Sequence, residues 1–172
     1  TFEGIEGSGK TYQSKKLYKK LKRLKLPAIY TREPGGCPSA EIIRKIILNG
    51  EKEKFNDLTD TLLYLASRNE HLEKKIKPAI LKKKIIICDR FTDSTIAYQV
   101  YGKKVDKSLI NFIHGKILNN IKPDLTFILT ANSKKIDQRL KMRKKINRYD
   151  KLSKKFYKSA QNAFIKMALQ NK

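Results

Sequence analysis

Residues 4 to 11 read Gly-Ile-Glu-Gly-Ser-Gly-Lys-Thr, a full match to the pattern G-x-x-x-x-G-K-[S/T], and no other stretch of the chain so narrows its fold. The pattern needs a strand before it and a helix after it, so that glycines turn the backbone tightly and successive N–H groups face a phosphate. Gly4, Ile5, Glu6, Gly7, Ser8 and Gly9 then form a cradle for the phosphates of a nucleoside triphosphate. Lys10 adds a point charge toward the β and γ oxygens, and Thr11 opens the helix with a hydroxyl placed for magnesium. A chain that begins this way is expected to continue as an α/β fold.

The remaining pattern agrees. After Thr1 to Glu3, the tail of a first strand, Leu17, Leu21 and Leu24 recur at helical spacing until Pro27. Ala28 to Thr31 reads as a second strand. Ile42, Ile43, Ile46 and Ile47 mark the buried face of a helix that Ser39 caps and Gly50 ends. A long helix runs from about Thr59 to Lys77 and stops at Pro78. Ile85 to Cys88 is apolar throughout, as in a central parallel strand. A helix around Ser108 to Leu118, a strand over Leu125 to Leu129 and two basic helical stretches follow. Alternation of this kind predicts a parallel sheet covered by helices. The strand ending in Asp89-Arg90 delivers a carboxylate to the sheet edge where open α/β sheets bind ligands, so Asp89 joins Thr11 as a candidate metal site.

One globular domain is expected from 172 residues of which 40% are hydrophobic. No apolar run approaches the roughly 18 residues of a membrane span, no secretory signal is seen, and the cytoplasm is the default location. Cys37 and Cys88 are too few for a disulfide framework or zinc site and are read as reduced, structural thiols. His71 and His114 lack metal-ligand spacing and are read as structural as well. The formal charge of +24 comes from lysines spread along every helix, without the interleaved aromatic residues of a single-strand platform. Nucleic acid is therefore expected to bind only non-specifically.

Three motifs in order carry a resemblance to a known family. The phosphate loop is followed by Thr31-Arg32-Glu33-Pro34-Gly35-Gly36, then by Asp89-Arg90-Phe91 with Asp93-Ser94-Thr95 and Ala97-Tyr98-Gln99. Together they resemble thymidylate kinase of the bacterial type, which carries its arginines in the lid. The resemblance implies a P-loop nucleoside monophosphate kinase-like fold with a short lid at about 139–150, and transfer of the γ-phosphoryl of ATP to dTMP with magnesium, in dTTP biosynthesis. It assigns Lys10, Arg90, Glu6, Arg143 and Arg148 to catalysis, and Arg139 of the lid, with the loop residues 4 to 11, to ATP. It assigns Glu6, Arg44, Tyr64, Arg68, Arg90, Thr95, Tyr98 and Gln99 to dTMP. Tyr64 is the stacking platform, Thr95 and Gln99 read the thymine edge, and Tyr98 packs near the sugar. A homodimer is the expected assembly.

The family continues into a further strand and C-terminal helix, so the chain is expected to be trimmed at both ends. Two other readings remain open at this point: a basic P-loop ATPase that binds nucleic acid, and an inactive, truncated kinase remnant.

Overall fold

A computed structural model describes residues 1–51, 54–142 and 147–170. Among the described residues four strands, β1 (Phe2–Glu3), β2 (Ala28–Arg32), β3 (Ile85–Asp89) and β4 (Phe127–Ile128), form one sheet in the order β2-β3-β1-β4. Every pairing is parallel. β1 thus lies inside the sheet although it is only two residues long, because it is hydrogen-bonded on both sides. β4 is shorter than its sequence suggests: Phe127 N bonds to Thr1 O and Leu129 N to Glu3 O, both at 2.8 Å.

Helices α1 (Lys10–Arg23), α2 (Pro38–Leu48), α3 (Asp57–His71), α4 (Lys77–Leu81), α5 (Thr92–Thr95), α6 (Lys107–Leu118), α7 (Ser133–Lys141) and α8 (Lys154–Gln170) flank the sheet. The rod that begins with α3 does not stop at Pro78. A π-helical turn, Leu72–Ile76, widens the ladder just before it, and Pro78 falls in the first turn of α4, where its missing N–H is not needed. A second π-helical stretch, Ile96–Gly102, continues α5.

The apolar face foreseen for α2 is only half buried. Ile47 is fully enclosed and Ile43 packs on the same core, whereas Ile42 and Ile46 are 62% and 41% exposed. With 3.6 residues per turn the two pairs occupy neighbouring stripes, and α3 covers one of them. Ser39 does not cap the helix either. Cys37 occupies that position without a side-chain capping bond, its thiol donating to Glu70 O at 3.4 Å; Pro38 opens the first turn, and the Ser39 hydroxyl donates to the Glu70 carboxylate instead.

Two apolar cores hold the layers. Ile47, Ala97, Tyr98, Tyr149, Ala160, Ala163 and Phe164 form the larger, which docks α8 on the stretch that follows α5. Leu72, Ile76, Cys88 and Phe91 form the other, so the Cys88 thiol acts as a small buried hydrophobe. Phe164 has no exposed surface, and Phe164→Ala is expected to cost about 3–5 kcal/mol.

Candidate active site

The loop from Gly4 to Gly9 joins β1 to the N-terminus of α1. Gly4 has φ 137° and a Cβ there would lie 2.3 Å from the Leu129 carbonyl oxygen, so only glycine fits. Gly9, at φ 99°, precedes α1 with no side-chain cap, which leaves the first N–H groups and the positive end of the helix dipole facing the loop. Lys10 is 6% exposed and its ammonium donates to Ile5 O at 3.0 Å. Burial, helped by the nearby charge of Arg90, pulls its pKa down to about 7. From α7, Arg139 reaches the loop and donates to Gly7 O at 2.7 Å.

At the end of β3 the Thr11 hydroxyl donates to Asp89 Oδ2, and Tyr30 donates to the same oxygen at 3.4 Å. Asp89 Oδ1 is buried without a hydrogen-bond partner among the described residues. An orphaned carboxylate oxygen beside a hydroxyl is a donor set suited to a hard cation that draws its other ligands from phosphate and water. Among the described residues no cluster of three His, Cys, Asp or Glu side chains would hold a metal unaided.

Next to this end lies a cleft of about 660 Å³, lined by Glu6, Lys10, Thr11, Arg44, Tyr64, Arg68, Asp89, Arg90, Thr95, Tyr98 and Gln99 among others. The side chains expected to serve acceptor and metal therefore converge on one space. Arg90 sits at φ 74°, unusual for a residue with a side chain, and is held there by bonds from its guanidinium to Glu6 Oε1 at 2.7 Å, Gly4 O at 2.8 Å and Ser94 Oγ at 3.1 Å. Burial alone would raise the Glu6 carboxyl. Arg90, Lys10 and the donating Tyr98 hydroxyl outweigh it and hold Glu6 below the ordinary carboxylate range. Arg44 donates to Pro34 O at 2.6 Å from the rim.

Arg68 is 3% exposed and spans the floor. It donates to Glu33 Oε2 at 2.7 Å, Thr95 Oγ1 at 2.8 Å and Phe91 O at 2.8 Å, and meets His114 Nε2 at 2.7 Å. His71 joins the same network through Thr31 and Glu33, in line with its structural reading. Burial and the adjacent Arg68 push His114 down to about 4, which keeps it neutral. Gln99 is 2% exposed and its Nε2 has no hydrogen-bond partner among the described residues.

The lid arginines part company. Arg143 lies outside the described residues. Arg148 was foreseen as a charge over the donor, but it is 3% exposed and turned inward, with Nη2 on Asp60 Oδ1 and Nε on Ile47 O. A buried carboxylate on α3 claims it, so in this arrangement its charge is not offered to the loop.

Several participants left no mark in the sequence pattern. Tyr149 lines the cleft with its ring edge-on to Tyr64, at 5.8 Å and 87°. Glu3 is fully buried beneath the site, where it accepts from Phe91 N and Ser94 Oγ, both at 2.6 Å. Burial raises its carboxyl to about 7. Only the position of Glu3 in a short strand next to the loop hinted at an enclosed acid.

A phosphate loop facing one end of a parallel sheet, with a polar cleft beside it that Glu6, Lys10 and Thr11 of the loop line together with Arg44, Tyr64, Arg68 and Gln99, is the arrangement of a P-loop nucleoside monophosphate kinase fold. The family model for thymidylate kinase matches residues 2–172. A thymidylate kinase of Orientia tsutsugamushi is 42% identical over 98% of this chain and 78% of its own length, and one of Mycoplasma capricolum is 38% identical over 99% and 81%. The crystal structure of thymidylate kinase from Ehrlichia chaffeensis superimposes with a TM-score of 0.80 at 36% identity, covering 99% of this chain and 85% of that one. The chain belongs to the thymidylate kinase family.

Proposed function

We propose that the chain phosphorylates dTMP, with ATP as donor and Mg²⁺ as the divalent ion, and so feeds dTTP synthesis. A phosphate oxygen of dTMP bonds to the γ-phosphorus of ATP while the bond from that phosphorus to the β–γ bridging oxygen breaks, giving dTDP and ADP. The loop amides and Lys10 bind the β and γ phosphates, with Arg139 bracing the loop. Thr11 and Asp89 would hold the magnesium ion, which when bound neutralises charge on the donor phosphates. Arg90 and Arg44 bind the phosphate of dTMP, and Glu6 orients Arg90 rather than acting as a strong base, because its lowered pKa gives the carboxylate little affinity for a proton.

The observation that carries the acceptor assignment is the floor of the recess. Thr95 Oγ1 already accepts from Arg68, so its own proton is directed elsewhere, and the Gln99 carboxamide has a buried group to satisfy. A pyrimidine edge with carbonyl oxygens answers both, and Tyr64 offers a ring face for the base. Tyr98, bonded to Glu6, stands where the sugar would pass. Incubation with ATP, Mg²⁺ and dTMP, followed by phosphorus NMR, should give dTDP and ADP in equal amounts. ADP and inorganic phosphate without dTDP would contradict the assignment.

The exposed Ile42 and Ile46 on α2, with Leu58 and Leu62 on α3, support a homodimer that covers this pair of helices. Sedimentation should report twice the chain mass, and Ile42→Glu should lower it. The dispersed lysines would add only salt-sensitive, non-specific binding of polynucleotides.

A further inference from the structure

Asp60 is a fully buried carboxylate that no phosphate or metal site uses. It lies on α3, one turn before Tyr64, and takes partners from two other parts of the chain. Arg148 Nη2 donates to Oδ1, while the Tyr149 hydroxyl and Lys103 Nζ, the latter at 2.6 Å, both donate to Oδ2. These parts are the ones that wall the acceptor recess. α3 carries Tyr64 and Arg68, the stretch that ends just before Lys103 carries Tyr98 and Gln99, and the 3₁₀ turn Arg148–Lys151 carries Tyr149.

We infer that Asp60 is a positioning residue for the acceptor site: by binding Tyr149, Arg148 and Lys103 at once, it fixes the Tyr149 ring against Tyr64 and so sets the width of the slot that receives the base. The inference rests on the acceptor reading above and deepens it. Tyr149 is held from every side. Its hydroxyl is on Asp60, its ring meets Tyr64 edge-on, the Arg148 guanidinium lies 5.1 Å from its ring centroid, and its carbonyl accepts from Tyr157 Oη at 2.7 Å. Stability alone does not call for such a cluster, since apolar residues of similar volume commonly replace a buried ion pair without loss. What ions and hydroxyls supply, and apolar packing does not, is direction: a ring tied at its hydroxyl cannot slide along its neighbour.

Tyr149→Phe tests this, because it keeps the ring and its packing and removes the hydroxyl that ties it to Asp60 and meets the Tyr64 hydroxyl. It should raise the KM for dTMP roughly three- to ten-fold, the range that one buried hydrogen bond supports, and weaken dTMP binding in calorimetry by the same factor. The KM for ATP should stay within about two-fold. Asp60→Asn should act in the same direction and more strongly, and Asp60→Glu should recover part of the loss. If Asp60→Asn does not fold, Tyr149→Phe alone decides. A Tyr149→Phe protein with a lowered Tm but parental dTMP affinity would overturn the inference and leave a structural cluster. Equal changes in the KM for both nucleotides would overturn it too. A parental protein that neither binds nor phosphorylates dTMP would instead overturn the acceptor reading, and this inference with it.

Discussion

The donor side of the cleft is built from one stretch of backbone, whereas the acceptor side is assembled from side chains contributed by four separate parts of the chain. Gly4 to Thr11 hold their geometry through local turns and the start of α1, and Arg139 and Asp89 only brace them. The acceptor recess takes Arg44 from α2, Tyr64 and Arg68 from α3, Arg90 to Gln99 from beyond β3, and Tyr149 from the turn before α8. Two buried polar networks hold those parts in register, one centred on Arg68 and Glu33 and the other on Asp60 and Arg148. Chemistry and stability are therefore nearly separate on the donor side and entangled on the acceptor side.

The largest effect should come from the entangled side. Arg68→Ala removes the partner of Glu33, which is 6% exposed, and is expected to destabilise the fold by about 3–5 kcal/mol. Chemical denaturation measures this, and an unchanged midpoint would break the distinction between the two sides. Lys10→Ala should lower kcat/KM by about 10²- to 10³-fold with little loss of Tm, as expected when a positioned charge is lost. Arg90→Ala should lose as much, chiefly through dTMP. Calorimetry with each nucleotide alone separates the two, since Lys10 should matter to ATP and Arg90 to dTMP. Tyr64→Ala should weaken dTMP binding by about ten-fold, within the range for one base stacked on an aromatic ring, and spare ATP.

The smallest effect is one of pH. Lys10 has its pKa lowered to about 7, so above that pH the free protein leaves it largely neutral. ATP favours the charged ammonium, and binding must therefore take up a proton, by up to about one per ATP near pH 8, with affinity falling as pH rises through 7. Arg90 has its pKa raised and stays charged throughout, so dTMP binding should show no such uptake from the protein. Calorimetry in two buffers of different ionisation enthalpy reads the difference directly. Uptake that persists in Lys10→Ala would assign the proton to another group.

The same contrast explains what could be read from the sequence. The phosphate loop, the parallel strands and the Asp89-Arg90 strand end follow from short, contiguous patterns, and the structure contains them within a residue or two. Arg148 turns inward in this arrangement because its environment depends on Asp60, 88 residues earlier, and a basic stretch gives no sign that one of its arginines does so. Tyr149 carries no sequence signal for the same reason. Each acquires its role only when distant helices meet. The full burial expected for Ile42 and Ile46 failed because periodicity shows which residues share a face and not whether a neighbour covers it.

The most direct test of the central claim, that the recess beside the phosphate loop is shaped for a pyrimidine bearing carbonyl oxygens, is ADP release from ATP with Mg²⁺ across a panel of dTMP, dCMP, AMP and GMP. The account predicts that dTMP gives the highest kcat/KM by about 10²-fold or more, because an amino group at the pyrimidine edge, or a purine in a slot walled by Tyr64 and Tyr149, leaves buried donors unpaired or fails to fit. Turnover of AMP or GMP equal to that of dTMP would contradict it.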